Sequence, residues 1–128
     1  MKEFMLLIHN LPGSKSSFSP EVHKEFLLQC EDYIGDLKKN NNLISAQPMV
    51  KEGTLVSFTG GIWKEQQLNQ VDEMIVGYYH IRARDTDEAI AIAKRNPEFK
   101  YTDTASVLVR PLKTSEPETG YKYPSKNG

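Results

Sequence analysis

Tyr78, His80 and Arg82 alternate along Ile75 to Ala83, while Tyr79, Ile81 and Ala83 take the other side of the same run. Histidine titrates near neutrality and arginine forks onto carboxylates. His80 beside Arg82 would therefore set a proton-transfer group next to an anion holder. His9 ends the run Phe4 to His9, and Ser106 and Arg110 belong to the run Ser106 to Arg110. Alternation turns all three toward the same side, with Trp63 expected at the rim. An interface reading stands beside the chemical one, because buried polar groups need partners whatever their function. His9 serves equally well as a surface strand end, and Trp63 as a core or interface aromatic.

Other reactive residue types offer less. His23 lies one position from a helical apolar stripe and reads as a solvated helix histidine. Cys30 falls on that stripe, where a free thiol behaves as a small hydrophobe. Its neighbours Gln29 and Glu31 supply no good base for a nucleophile. Three histidines without close pairing do not make a metal site, so no metal is expected. The sequence has no phosphate loop, dinucleotide fingerprint, nucleophile elbow or Cys/His ligand spacing, and no cofactor is expected.

The elements that must position these residues follow from the apolar patterning. Phe4 to His9 reads as a strand with Phe4, Leu6 and Ile8 on one face and Met5, Leu7 and His9 on the other. Ser19-Pro20-Glu21 is a helix start: serine caps, proline suits the first turn and glutamate opposes the dipole. Val22, Phe26, Cys30, Tyr33 and Leu37, widened by Leu27 and Ile34, carry that helix to about Lys39, before Asn40-Asn41-Asn42. Leu43 to Met49 is a short strand with Pro48 at an edge or end, and Thr54 to Thr59 a strand or hairpin arm broken by Gly60-Gly61. Residues 62 to 73 fit a short helix or a long surface loop. Asp85 with Glu88 caps a second helix whose buried side is Ala89, Ile90, Ile92 and Ala93, stopped at Asn96-Pro97. Residues 1–112 form the domain, and 113–128 an arm that is extended or mobile.

Strand, helix, strand, hairpin arm, strand, helix, strand is the order of a ferredoxin-like split βαβ pattern, an α+β fold with a four-stranded antiparallel sheet and an added hairpin. Two helices cover one face of such a sheet. The other face would carry Met5, Leu7, Tyr78 and Leu108, too apolar to leave in water. A second copy stacked face to face gives a dimeric α/β barrel; a tail folded over that face is the competing solution.

Composition narrows the partners. Sixteen Lys and Arg against seventeen Asp and Glu leave a net charge of −1, without the basic stripe that phosphate backbones demand. Nucleic acid is not expected. Phe4-Met5-Leu6-Leu7-Ile8 is too short for a signal-peptide core or a membrane span, so a cytoplasmic protein without a membrane partner is expected.

Several stretches taken in order resemble the YCII-related family, in its branch named for a D-G-P-F motif. Lys2 to Ile8 is similar to the opening strand and Ser19-Pro20-Glu21 to the helix start. Thr59-Gly60-Gly61-Ile62-Trp63-Lys64-Glu65 is similar to the T-D-G-P-F-x-E signature, and Gly77-Tyr78-Tyr79-His80-Ile81 to a G-Y-Y-x-I strand. Asp87-Glu88-Ala89 with Pro97, and Val107 to Pro111, are similar to the second helix and last strand. The likeness covers roughly residues 1 to 112 and implies a ferredoxin-like dimeric barrel with no settled activity. Gly60 stands where the signature has its aspartate, Ile62 where it has proline and Trp63 where it has phenylalanine. In the shorter branch a histidine near the first helix is suspected of catalysis, and His23 falls in that region. Two functions remain open: acid–base chemistry on an anionic substrate in the dimer cleft, or a non-catalytic module that binds a ligand or protein there.

Overall fold

The computed structural model describes residues 1–124. Four strands form one antiparallel sheet: β1 (Lys2–Asn10), β2 (Leu43–Pro48), β5 (Met74–Ala83) and β6 (Ser106–Pro111), in the order β2-β5-β1-β6. Helices α1 (Pro20–Lys39) and α2 (Thr86–Lys94) join them, followed by a one-turn α3 (Glu98–Tyr101). β1 is inserted between β5 and β6, so its neighbours come from distant sequence, the arrangement compatible with a ferredoxin-like pattern.

Local chemistry sets the helix ends. Ser19 accepts a hydrogen bond from the Val22 amide at 3.2 Å, with Pro20 in the first turn. At the other end Asn41 adopts a left-handed φ of 59°, and the Asn42 amide donates back to the Leu37 carbonyl at 2.8 Å. Asp85 caps α2 by accepting from the Glu88 amide at 2.9 Å, while Glu88 accepts from the Arg84 amide at 2.7 Å.

One face of the sheet is the core. Phe4, Leu6, Ile81 and Ala83 pack against Tyr33 and Leu37 of α1 and Ala89, Ile92 and Ala93 of α2. The Tyr33 hydroxyl donates to the Ile92 carbonyl at 2.8 Å and ties the two helices together. Ile90 is not part of this side: it is exposed, because each residue advances about 100° around a helix and Ala89, Ile92 and Ala93 already face the sheet. Leu27, one step round from buried Phe26, is exposed for the same reason.

Residues 62 to 67 differ from the expectation of a helix or loop, whereas 68 to 73 are the surface loop expected there. Ile62–Gln67 is a strand, β4, paired antiparallel with β3 (Thr54–Thr59) in a separate two-stranded sheet. Gly60 and Gly61 have φ of 60° and 78°, the two positive values that a two-residue hairpin turn demands. The glycines therefore make the turn that joins two strands. Beyond β6, Ser115 and Lys122 form a bridge, and Tyr121 packs edge-on against Tyr123. The expected arm's last residues, 125–128, lie outside the described ones.

Leu37→Ala should cost about 2–5 kcal/mol in chemical denaturation, because it opens a cavity in the fully buried seam between α1 and the sheet. Ile90→Ala should stay within about 0.5 kcal/mol. Equal losses would contradict this division of α2 into buried and exposed sides.

Candidate functional site

The face of the sheet turned away from the helices is built from rows that the strand register fixes. Arg110, Met5, His80 and Ser45 lie opposite one another across β6, β1, β5 and β2, with Leu108, Leu7, Tyr78 and Gln47 in the next row. Glu3 faces Arg82 across the β1–β5 pair, and His9 faces Ser106 across β1–β6. The structure thus brings Tyr78, His80, Arg82, Ser106, Arg110 and His9 to one face. Leu108 is 46% exposed there, at the β6 end of the apolar row.

The sharpest contact on this face involves a residue that the sequence reading did not single out. Glu3 Oε1 lies 2.7 Å from His80 Nε2, with side chains 18% and 15% exposed. The pair is diagonal, since Glu3 is directly opposite Arg82 and two residues along β1 from Met5, the partner of His80. Alternation with Met5 already placed Glu3 on this face, so that signal was present. Tyr78 Oη and Ser45 Oγ are 2.9 Å apart and tie β5 to β2. Ser106 donates to Glu73 at 3.3 Å near the sheet end. His9 follows a register shift after Ile8, and its Nε2 is buried without a hydrogen-bond partner.

Two expected site residues lie elsewhere. Trp63 is 70% exposed on β4, against Phe58 at 4.8 Å between ring centres, and belongs to the separate hairpin. His23 is exposed on α1 and lines a cavity between that helix and the sheet, on the side opposite His80. The three histidines cannot converge, because α1 packs on the core face. Among the described residues no group of three or more His, Cys, Asp or Glu side chains is placed to hold a metal ion.

A buried polar knot beside that cavity had no local signal. Asn10, fully buried at the end of β1, donates to Glu98 Oε2 at 2.7 Å and to Thr102 Oγ1 at 3.1 Å. Its Oδ1 accepts from Thr104 at 2.6 Å and from the Leu11 amide at 2.8 Å. Lys15 joins at 2.6 Å from the same Glu98 oxygen, with the Glu98 side chain only 7% exposed. Cys30 sits nearby, half-buried; burial pushes its thiol up to about 11, helped by the Glu98 carboxylate and opposed by Lys15.

Neither a protein-family model nor a curated protein matches the chain. Among the described residues no helix is long and apolar enough to cross a membrane.

The Cys30 thiol yields a pH prediction. Its folded value lies above that of an ordinary thiol, so it stays protonated, and its alkylation by iodoacetamide should keep rising from pH 9 toward pH 11. The sign for stability follows: the neutral thiol is favoured in the fold, so the contribution holds below about pH 9 and is lost as pH rises through the folded value. A rate that levels off at pH 9 in the folded protein would contradict the burial.

Proposed function

We propose that the chain works as a homodimer of the YCII-related kind, its sheets stacked face to face as an α/β barrel. The cleft between them would carry acid–base chemistry on a small anionic substrate in the cytoplasm. The observation that carries this reading is the Glu3–His80 contact of 2.7 Å. A lone histidine is a poor acid–base catalyst, whereas one hydrogen-bonded to a carboxylate has a fixed ring orientation. With Nε2–H donating to Glu3, Nδ1 is left to take a proton. Arg82 and Arg110 flank the pair on the same face and are the anchors for substrate charge, one on β5 and one across β1 on β6.

The dimer supports the reading by supplying the cleft. A flat sheet face excludes no water, and the Met5–Leu7–Leu108 surface is the part that a second copy would cover.

A second reading is a binding module without chemistry. What favours it is Gly60: the signature's aspartate position forms the hairpin turn here, with no carboxylate to offer. Deuterium uptake by enolisable 2-oxo acids such as pyruvate and 2-oxoglutarate, followed by proton NMR in D2O, separates the two. The enzyme reading expects uptake above buffer, a loss of about 100-fold or more in His80→Gln, and a smaller loss in Glu3→Gln. Folded His80→Gln exchanging as fast as the parent protein would end the assignment.

A further inference from the structure

The cavity lined by His23 measures about 670 Å3, within the range that encloses small organic ligands. It lies between α1, the loop after β1 and the ends of β2 and β5, on the far side of the sheet from His80. Ile8, Phe26, Ile34, Ala46, Met49 and Val76 give it apolar walls. Gly77 opens its floor: a Cβ there would stand 3.2 Å from the Gln47 carbonyl oxygen, so a larger residue would crowd the strand pair.

The polar end of this space is asymmetric. Glu98 and Lys15 both line it, and the carboxylate is the more deeply set, 7% exposed against 27% for the lysine side chain. Asn10 and Lys15 both bond to Oε2, so the second carboxylate oxygen is the one left to an incoming donor. Lys15 also lies 5.2 Å from the centre of the Phe26 ring, which holds its ammonium by cation–π attraction as well as by the ion pair. Cys30 senses the balance of the two charges: after burial, the Glu98 carboxylate is the stronger influence and Lys15 the weaker. A second anion would meet that carboxylate in a poorly solvated space. A donor would be welcomed by it.

From this geometry we infer a second ligand site, for an apolar molecule that carries a hydrogen-bond-donating head, a primary amine above all, with the head on Glu98 and the body along the α1 wall. His23, Glu31 and Lys51 stand exposed where the cavity meets solvent and leave the apolar interior to the body of the ligand. The site is independent of the dimer cleft, because every wall comes from one chain and from the helix side of the sheet.

Three probes of one shape test it: 4-phenylbutylamine, 4-phenylbutanol and 4-phenylbutyrate, titrated by calorimetry at neutral pH. Protection of Cys30 from iodoacetamide reports where they bind, since this single cysteine lines the cavity. The amine should bind at least about tenfold more tightly than the acid, as a charge-assisted hydrogen bond provides, with the alcohol between them. All three should shield Cys30, and Ala46→Phe, which fills the cavity, should abolish both signals. Glu98→Gln should erase the amine's advantage over the alcohol. Should that buried change prevent folding, Lys15→Met removes the competing cation and should tighten the amine alone. The inference is overturned if 4-phenylbutyrate binds as well as the amine, if binding leaves Cys30 unprotected or survives Ala46→Phe, or if no probe binds at millimolar concentration.

Discussion

A four-stranded sheet with helices on only one side has to do something with its other face, and most of this molecule follows from that constraint. β1 states it most clearly. Phe4, Leu6 and Ile8 are buried under α1 and α2, while Glu3, Met5, Leu7 and His9 alternate onto the uncovered side. A strand with that pattern at the centre of a sheet needs cover on both faces. The helices supply one cover, and the proposed second copy supplies the other.

The two faces also separate two kinds of polar chemistry. On the core side, the buried Glu98 carboxylate is held by Asn10 and Lys15, and the Asn10 side-chain oxygen accepts two further hydrogen bonds. Such a network is costly to break, since removing one partner strands the others away from water. On the open side, the Glu3–His80 pair keeps a sixth or so of its surface in contact with solvent. The sheet thus separates the polar knot around Glu98 from the hydrogen-bonded Glu3–His80 pair.

How far the sequence revealed this depends on whether a signal was local. The cap at Ser19, the asparagines that end α1 and the Asp85–Glu88 start of α2 are written in adjacent residues, and each element begins or ends there. Period-two alternation was enough to assign Tyr78, His80 and Arg82 to one face and Tyr79, Ile81 and Ala83 to the other. β4 was missed because Trp63-Lys64-Glu65-Gln66-Gln67 lacks apolar alternation, and both faces of its hairpin lie exposed. The Gly60-Gly61 turn was the available clue. The Asn10–Glu98 bond joins residues 88 apart, and no pattern in the chain announces it. Glu3 lies between these cases: its face was legible, but its partner followed only from the register of β1 on β5.

The proposed barrel and its cleft depend on the open face being closed by another copy of the chain. Sedimentation equilibrium at micromolar concentration tests that directly, on the parent protein and on Leu7→Asp, which puts a charge in the middle of the apolar row. The parent protein should sediment at twice the 14.6 kDa chain mass, and Leu7→Asp should be folded and monomeric. A parent protein that stays monomeric, or a Leu7→Asp variant that still dimerises, would contradict it.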